Sequence, residues 1–405
     1  MTKTDIIETA FNVWGREFYL NTSLSRIASE LKVCKPALYR HFRNKQTLLE
    51  AMAKHFFDDF IASIKTDYEN ALKTENKAEG IFMIVRGTTE YFAKNVNYFV
   101  FCMMNIYNRE MQRISFVKEF KDRGLSLDFF QPLITRLIFA TLIFHIAGFH
   151  KKEKSFVNTP GETEISNIIN LICDITRKGL GYDKEVIDKL DYEKLESYIY
   201  KTVMIIEDDV LLKAVAGAVA TAGPWEASME QVARRSGLSK SSLYCHFKNK
   251  QDMLHQLFMT ESMRIIDFAR QGMRQSDIPH EQLYLGIYFI VQYLRSKPDI
   301  LVAMDWIRTR KLDLGSKGEK HNEQIAENLR IFDEINIKPH HNNACPFNKR
   351  KVSPWIFFLI LSTLMIKNPK QEMEEVPDID IRSLFRFLAL GIRSVTTDIP
   401  IRRED

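Results

Sequence analysis

No glycine-rich phosphate loop, HExxH pair or nucleophile elbow occurs in the 405 residues. Those motifs place reacting groups through backbone shape, so an enzymatic reading has no positive support and no cofactor is implied. Paired cysteines are also missing. Cys34, Cys102, Cys173, Cys245 and Cys345 form no CxxC and are odd in number. The opening stretch reads as a helix start rather than a secretory signal, so the expectation is a reduced, cytoplasmic protein. An excess of one charge is lacking too, with a net charge of only +5. Grip on an anionic polymer would have to come from local positive patches. Alternating runs and hairpin dipeptides are few, which disfavours a sheet. Long apolar runs are scarce. The most apolar one, Phe129 to Phe149, contains Pro132, Arg136 and His145. It is just long enough to cross a bilayer, but those residues and the helical pattern point to a buried helix at a domain or subunit contact, and no membrane partner is expected.

What is present is a repeat. Residues 23–49 and 228–254 align without a gap at an offset of 205 and agree at 11 of 27 positions. Each copy follows an apolar helix. The first is Asp5–Trp14, with Ile6, Ile7, Ala10, Phe11 and Trp14 on one face. The second is about Asp208–Ala222, ended by Gly223-Pro224. Tyr91–Val100 lies over Tyr293–Val302 at an offset of 202, and Pro132 meets Pro354 at 222. The drift of the offset implies loop insertions, the largest around Asn336–Val352. The expectation is an all-α chain of two tandem copies. Residues 1–50 form the first small helical module and 51–181 a larger helical domain. A linker spans 182–204, with Tyr182–Glu196 expected as a helix, and 205–255 and 256–405 repeat the pair. At this length two domains are also the natural count.

Within each copy the spacing is that of a helix-turn-helix. Leu24–Leu31 suits one helix, Lys32–Cys34 the turn and Lys35–Phe42 a second helix. Leu38 and Phe42 face inward and Ala28 allows close crossing; Leu243, Phe247 and Ala233 repeat them. Beside that seam runs a basic, aromatic, basic stripe at four-residue spacing: Lys35, Tyr39 and Arg43, then Lys240, Tyr244 and Lys248. Like charges around an exposed tyrosine gain nothing within the fold, whereas phosphates and base edges would satisfy them. His41 and His246 extend the same surface. Asn44 and Asn249 suit N-caps, which puts Lys45 and Lys250 in the first turn of the next helix, where the macrodipole disfavours a cation. A phosphate seated there removes the conflict. One copy alone also fits a core seam with a solvated basic edge; recurrence of stripe, cap and upstream helix favours the binding reading.

These residues resemble the TetR family of bacterial transcription regulators, whose signature is Ile/Val-Ala, a turn, then Leu-Tyr-x-His-Phe-x-x-Lys-x-x-Leu. The first copy shows Ile27-Ala28, Leu38-Tyr39-Arg40-His41-Phe42, Lys45 and Leu48. The second shows Val232-Ala233, Leu243-Tyr244-Cys245-His246-Phe247, Lys250 and Met253. The resemblance covers about 50 residues in each half. It implies two TetR-like units, each a three-helix reader followed by a larger helical domain that pairs through its last two helices and holds a small apolar effector. It implies double-stranded operator DNA as the partner. Tyr39, His41 and Lys45, with Tyr244, His246 and Lys250, would touch the DNA backbone. Lys35, Pro36, Ala37 and Arg40, against Lys240, Ser241, Ser242 and Cys245, would face bases.

The two readers differ. Copy two has Gly237-Leu238-Ser239, with glycine suited to a left-handed turn and serine to a cap. Copy one has Lys32-Val33-Cys34, which suits neither. Arg40 can pair with guanine and Cys245 cannot, so the halves are expected to read different half-sites. The expected protein is a ligand-responsive repressor acting as a monomeric pseudo-dimer or a homodimer. Contacts are expected through stretches near Phe129–Phe149, Pro354–Ile366, Ile165–Lys178 and Ile381–Arg393. Two rivals use the same fold: a DNA organiser or division-linked factor that regulates no promoter, and a ligand- or protein-binding module with decayed readers. Phe101, Met103, Met104 and Tyr107, with Trp306 in the second half, are ligand-pocket candidates that also suit a core. Cys34 and Cys245 lack a resolving cysteine nearby and read as ordinary reduced side chains. His340, His341 and Cys345 lack a fourth ligand at a telling spacing, so no metal is expected.

Overall fold

The computed structural model describes residues 2–17, 24–103, 119, 121–125, 132–153, 155, 158–202, 209–311, 327, 330–335, 351–364 and 380–392, and every regular element among them is helical. The sequence readings at Met104, Tyr107, His340, His341 and Cys345 lie outside these residues, as do positions 129–131, 365–366 and 393 of the expected contact stretches. The described chain forms two compact units that divide between Arg177 and Lys178.

The first unit opens with α1 (Lys3–Glu17), α2 (Leu24–Glu30) and α3 (Lys35–Tyr39), followed by the long α4 (Lys45–Lys73). α1 buries Ile6, Ile7, Ala10 and Phe11, the face read from the sequence, and packs on α2 and α4. α4 starts in the reader and runs into the larger domain. Its Leu48, Met52, Phe56, Phe60 and Ile64 recur every four residues and are buried throughout. Next come α5 (Lys77–Lys94), α6 (Val96–Phe101), α7 (Pro132–Glu153) and α8 (Glu162–Lys178). α5 packs between α4 and α7, and α6 packs on α1. From Pro132 on, the apolar run lies in a helix, α7, long and apolar enough by length and composition to cross a membrane. Leu137, Ala140, Leu142, Ile143 and Ile146 on it are buried within the protein.

His150, fully buried near the end of α7, donates from Nε2 to the Phe92 carbonyl at 2.8 Å. Burial pushes its pKa down from 6.5 to about 4. The folded state thus holds the neutral ring, and the unfolded chain binds the extra proton between those values. This contribution is complete above pH 6.5 and is lost as pH falls toward 4, by up to roughly 3 kcal/mol. Acid unfolding followed from pH 7 to 4 should show a shallower loss of stability in His150→Gln.

The second unit begins with α9 (Lys184–Asp188) and α10 (Tyr192–Ser197), capped by Asp183 and Asp191. The stretch expected as one linker helix, Tyr182–Glu196, is these two short helices, and a 3-10 turn follows at Tyr198–Lys201. It packs with the second unit because its side chains find partners there. Glu196 takes the Arg382 guanidinium at 2.8 and 3.0 Å, and that cation holds the carboxyl below its ordinary range. Asp188 meets Arg386 at 2.6 Å and Tyr192 packs edge-on against Tyr284. The Leu180 and Tyr182 amides donate to the carbonyls of Leu388 and Ala389.

The repeat then follows: α11 (Val210–Glu226), α12 (Met229–Ser236), α13 (Lys240–His246), α14 (Lys250–Met273), α15 (Pro279–Ser296), α16 (Pro298–Lys311), α17 (Val352–Leu364) and α18 (Ile381–Leu390). α11 departs from helical geometry at Gly223, φ 80°, where the sequence placed its end. α11 packs on α12, α14 and α16, as α1 packs on α2, α4 and α6. The break between α15 and α16 at Lys297 repeats the break between α5 and α6 at Asn95, as the offset of 202 requires.

Candidate nucleic-acid interface

Both readers close their turn in the same way. The Val33 amide donates to the Ala28 carbonyl at 3.0 Å, and the Leu238 amide to the Ala233 carbonyl at 3.1 Å. This is the long bond of a Schellman closure, which needs a left-handed residue one position earlier. In reader two that residue is Gly237, φ 71°; in reader one it is Lys32, φ 55°. A side chain with a Cβ is strained there and glycine is not.

The recognition helices differ at their starts as well. Ser239 caps α13, its Oγ accepting the Ser242 amide at 3.0 Å and lying 2.8 Å from the Ser242 hydroxyl. Cys34, at the same point before α3, makes no side-chain cap. The helix there spans five residues against seven in α13, shorter than the Lys35–Phe42 expected from sequence. α12 also begins with a capping box in which Ser228 and Gln231 satisfy each other's amides. Lys32→Gly is expected to stabilise reader one by about 0.5–1 kcal/mol, and Cys34→Ser by about 1. Amide exchange in residues 24–42 measures both, and unchanged protection counts against this account.

Leu38 and Phe42 are buried under reader one, and Leu243 and Phe247 under reader two. That inward pair turns the neighbouring stripe outward. Tyr39 is 43% exposed and Tyr244 51%. Lys35, Pro36, Arg40 and Arg43 are exposed around the first, with Ala37 and His41 half-buried. Lys240, Ser241, Cys245, His246 and Lys248 are exposed around the second, with Ser242 half-buried. The Lys35 ammonium lies 5.9 Å from the Tyr39 ring centroid, a cation held over an aromatic face at the surface.

Asn44 caps α4 by accepting the Thr47 amide at 2.9 Å, and Asn249 caps α14 by accepting the Asp252 amide at 2.9 Å. Lys45 and Lys250 therefore take the first helical position, half-buried beside the helix N-terminus. Sequence reading overlooked the third-position partners. Thr47 receives the Asn44 amide through its hydroxyl, and Asp252 receives the Lys248 amide at 2.9 Å, a contact that keeps this carboxyl below its usual range. The capping-box spacing was the available signal.

The ligand-pocket candidates are placed less evenly. Phe101 and Met103 are buried, and Phe101 packs edge-on against Phe11 of α1 at 5.0 Å, as a core residue does. Trp306 lies on α16, and its side chain is outside the described residues.

Residues 6–52 and 211–257 each match the model for bacterial regulatory proteins of the tetR family. An uncharacterized HTH-type transcriptional regulator of Bacillus subtilis (strain 168) is 39% identical over 64 residues, 15% of this chain and 22% of that protein. The fatty acid metabolism regulator protein of the same organism is 24% identical over 126 residues, 31% of this chain and 63% of that protein. The chain thus spans less than two thirds of these relatives. A solved structure, the fatty acid degradation regulator of Bacillus halodurans, aligns over 46% of this chain and 99% of its own, at 19% identity and a TM-score of 0.37.

Proposed function

Starting from a chain that belongs to the TetR family of bacterial regulatory proteins and carries the family's N-terminal segment twice, we propose that it is a transcriptional repressor reading an asymmetric operator with one chain. One observation carries this reading: two exposed basic–aromatic–basic stripes, each followed by an asparagine-capped helix whose first residue is lysine. Tyr39, His41 and Lys45, and Tyr244, His246 and Lys250, would bind phosphates and set the register. Bases would be read by Lys35, Pro36, Ala37 and Arg40 in one half-site and by Lys240, Ser241, Ser242 and Cys245 in the other. Arg40 offers guanine two parallel donors that Cys245 lacks, so the half-sites would differ. The two units would act as an intramolecular pseudo-dimer with readers roughly one DNA turn, about 34 Å, apart. A small apolar effector would release the DNA. Support for that part is the similarity to a fatty acid metabolism regulator and the aromatic and methionine content of residues 99–104.

Selection of duplexes by the full chain from a random pool, with the mass of the complex, tests the reading. The expected outcome is a site with two unlike halves, bound by one chain, with affinity falling steeply as salt rises. A perfect palindrome, or two chains per site, overturns the asymmetric single-chain arrangement. Binding without salt dependence overturns the role of the stripes.

A further inference from the structure

We infer that Glu8, His55 and Tyr98 are positioning residues for the first reader, forming a polar clamp that the second reader lacks. The inference rests on the DNA-binding reading above. Glu8 stands on α1, His55 on α4 and Tyr98 on α6. Glu8 Oε1 lies 2.7 Å from His55 Nε2 and accepts the Tyr98 hydroxyl at 3.0 Å. His55 Nε2 and the Tyr98 oxygen are 3.2 Å apart. One carboxylate oxygen thus joins the reader's first helix to both the connecting helix and the larger domain. The site is partly sheltered, with the His55 side chain 29% exposed and Glu8 46%.

The surroundings reinforce it. Phe11, one turn along α1 from Glu8, packs edge-on to Tyr98 at 4.5 Å and lies 6.1 Å from the His55 ring. Asn97 donates to Asn12 at 2.7 Å, a second polar link between α6 and α1. Sliding or rotating α1 against α6 would break all of these directional contacts together, whereas apolar packing alone tolerates small slips.

The repeat makes the comparison internal. The positions that align with Glu8, Phe11 and His55 are Lys213, Ala216 and Thr260, and Ile300 aligns with Tyr98. Without a carboxylate or a phenol, that set cannot build the clamp. The second unit has a buried carboxylate, Glu261, but its partners lie elsewhere: Tyr293 at 2.7 Å, Arg264 at 2.9 Å and Lys297 at 3.5 Å. Those bonds tie α14 to α15 and the residue that ends it, away from the reader helix α11. Orientation of the first reader is therefore set by a hydrogen-bonded joint of α1, α4 and α6, whereas in the second unit Asp299 of α16 faces the cations Lys213 on α11 and Arg235 on α12, a charge contact without that Glu-His-Tyr geometry.

The test uses the full chain and Tyr98→Phe, which keeps the ring against Phe11 and removes only the hydroxyl, with Glu8→Gln as a second variant that keeps an acceptor. In the free chain, amide exchange over 3–39 should quicken about three- to tenfold, with 210–246 unchanged. On duplexes selected by the wild-type chain, protection of the half-site lost in Tyr39→Ala/Lys45→Ala should weaken by a similar factor while the other half-site holds. His55→Gln, which retains a donor, should sit closer to wild type than His55→Leu. Unchanged exchange over 3–39, equal acceleration in both readers, or equal weakening of both half-sites overturns the clamp as a positioning device. A wild-type chain that binds no duplex, with exchange altered as expected, overturns the DNA-binding reading and the positioning role with it.

Discussion

Replacing Tyr244 and Lys250 together by alanine is expected to weaken duplex binding by about a hundredfold or more. Each residue is assigned a charge-assisted bond to phosphate, and such bonds contribute roughly 1.5–3 kcal/mol apiece. The fold should hardly register the change. Tyr244 is half exposed and makes no core contact of the kind made by its neighbours Leu243 and Phe247. Lys250 opens α14 at a position where the macrodipole opposes a cation. Salt dependence separates this account from indirect damage: removing one phosphate-bound lysine should lower the slope of log affinity against log salt by about one. Anisotropy titrations across a salt series measure both quantities. The same change at Tyr39 and Lys45 should act alike if the first reader works. No loss from that pair would mark the first reader as vestigial and remove the asymmetric-operator reading.

Phe247→Ala should destabilise reader two by about 3–5 kcal/mol, and Phe42→Ala reader one by a similar amount. Each ring is buried, at 2% and 5% exposure, so truncation leaves a void beneath the recognition helix. The consequences should differ. Reader two has Gly237 in its turn, a capping box at Ser228 and a serine cap on α13. Reader one has a strained Lys32 and an uncapped α3. With roughly 1–2 kcal/mol less in reserve, reader one should lose exchange protection entirely in Phe42→Ala under conditions where Phe247→Ala still shows partial protection. Equal residual protection in the two variants would show that the turn and cap differences do not govern local stability.

Much of this was legible in the residues because it depends on local chemistry. An αL position tolerates glycine better than lysine, and a hydroxyl caps a helix where a thiol does not, wherever the segment sits. Helix starts at Asn44 and Asn249 and the break at Gly223 were readable for the same reason. The linker was misjudged because the spacing of Val186, Ile187, Leu190 and Leu195 reports an apolar face but not what covers it. The covering surface is α15 and α18, far away in sequence. The third-position partners Thr47 and Asp252 were readable in principle, since their spacing from the capping asparagines is fixed.

The sequence by itself determined the duplication, the helical class and the inequality of the two turns. Each follows from spacing, or from what one side chain permits its own backbone. Only the tertiary structure decided that Lys32 does occupy the left-handed region, that 182–202 folds onto the second unit, and that Glu8, His55 and Tyr98 meet. Those three residues are 47 and 43 positions apart along the chain, and no periodicity links them. Their meeting depends on how α1, α4 and α6 pack, and packing is set by all the buried side chains together.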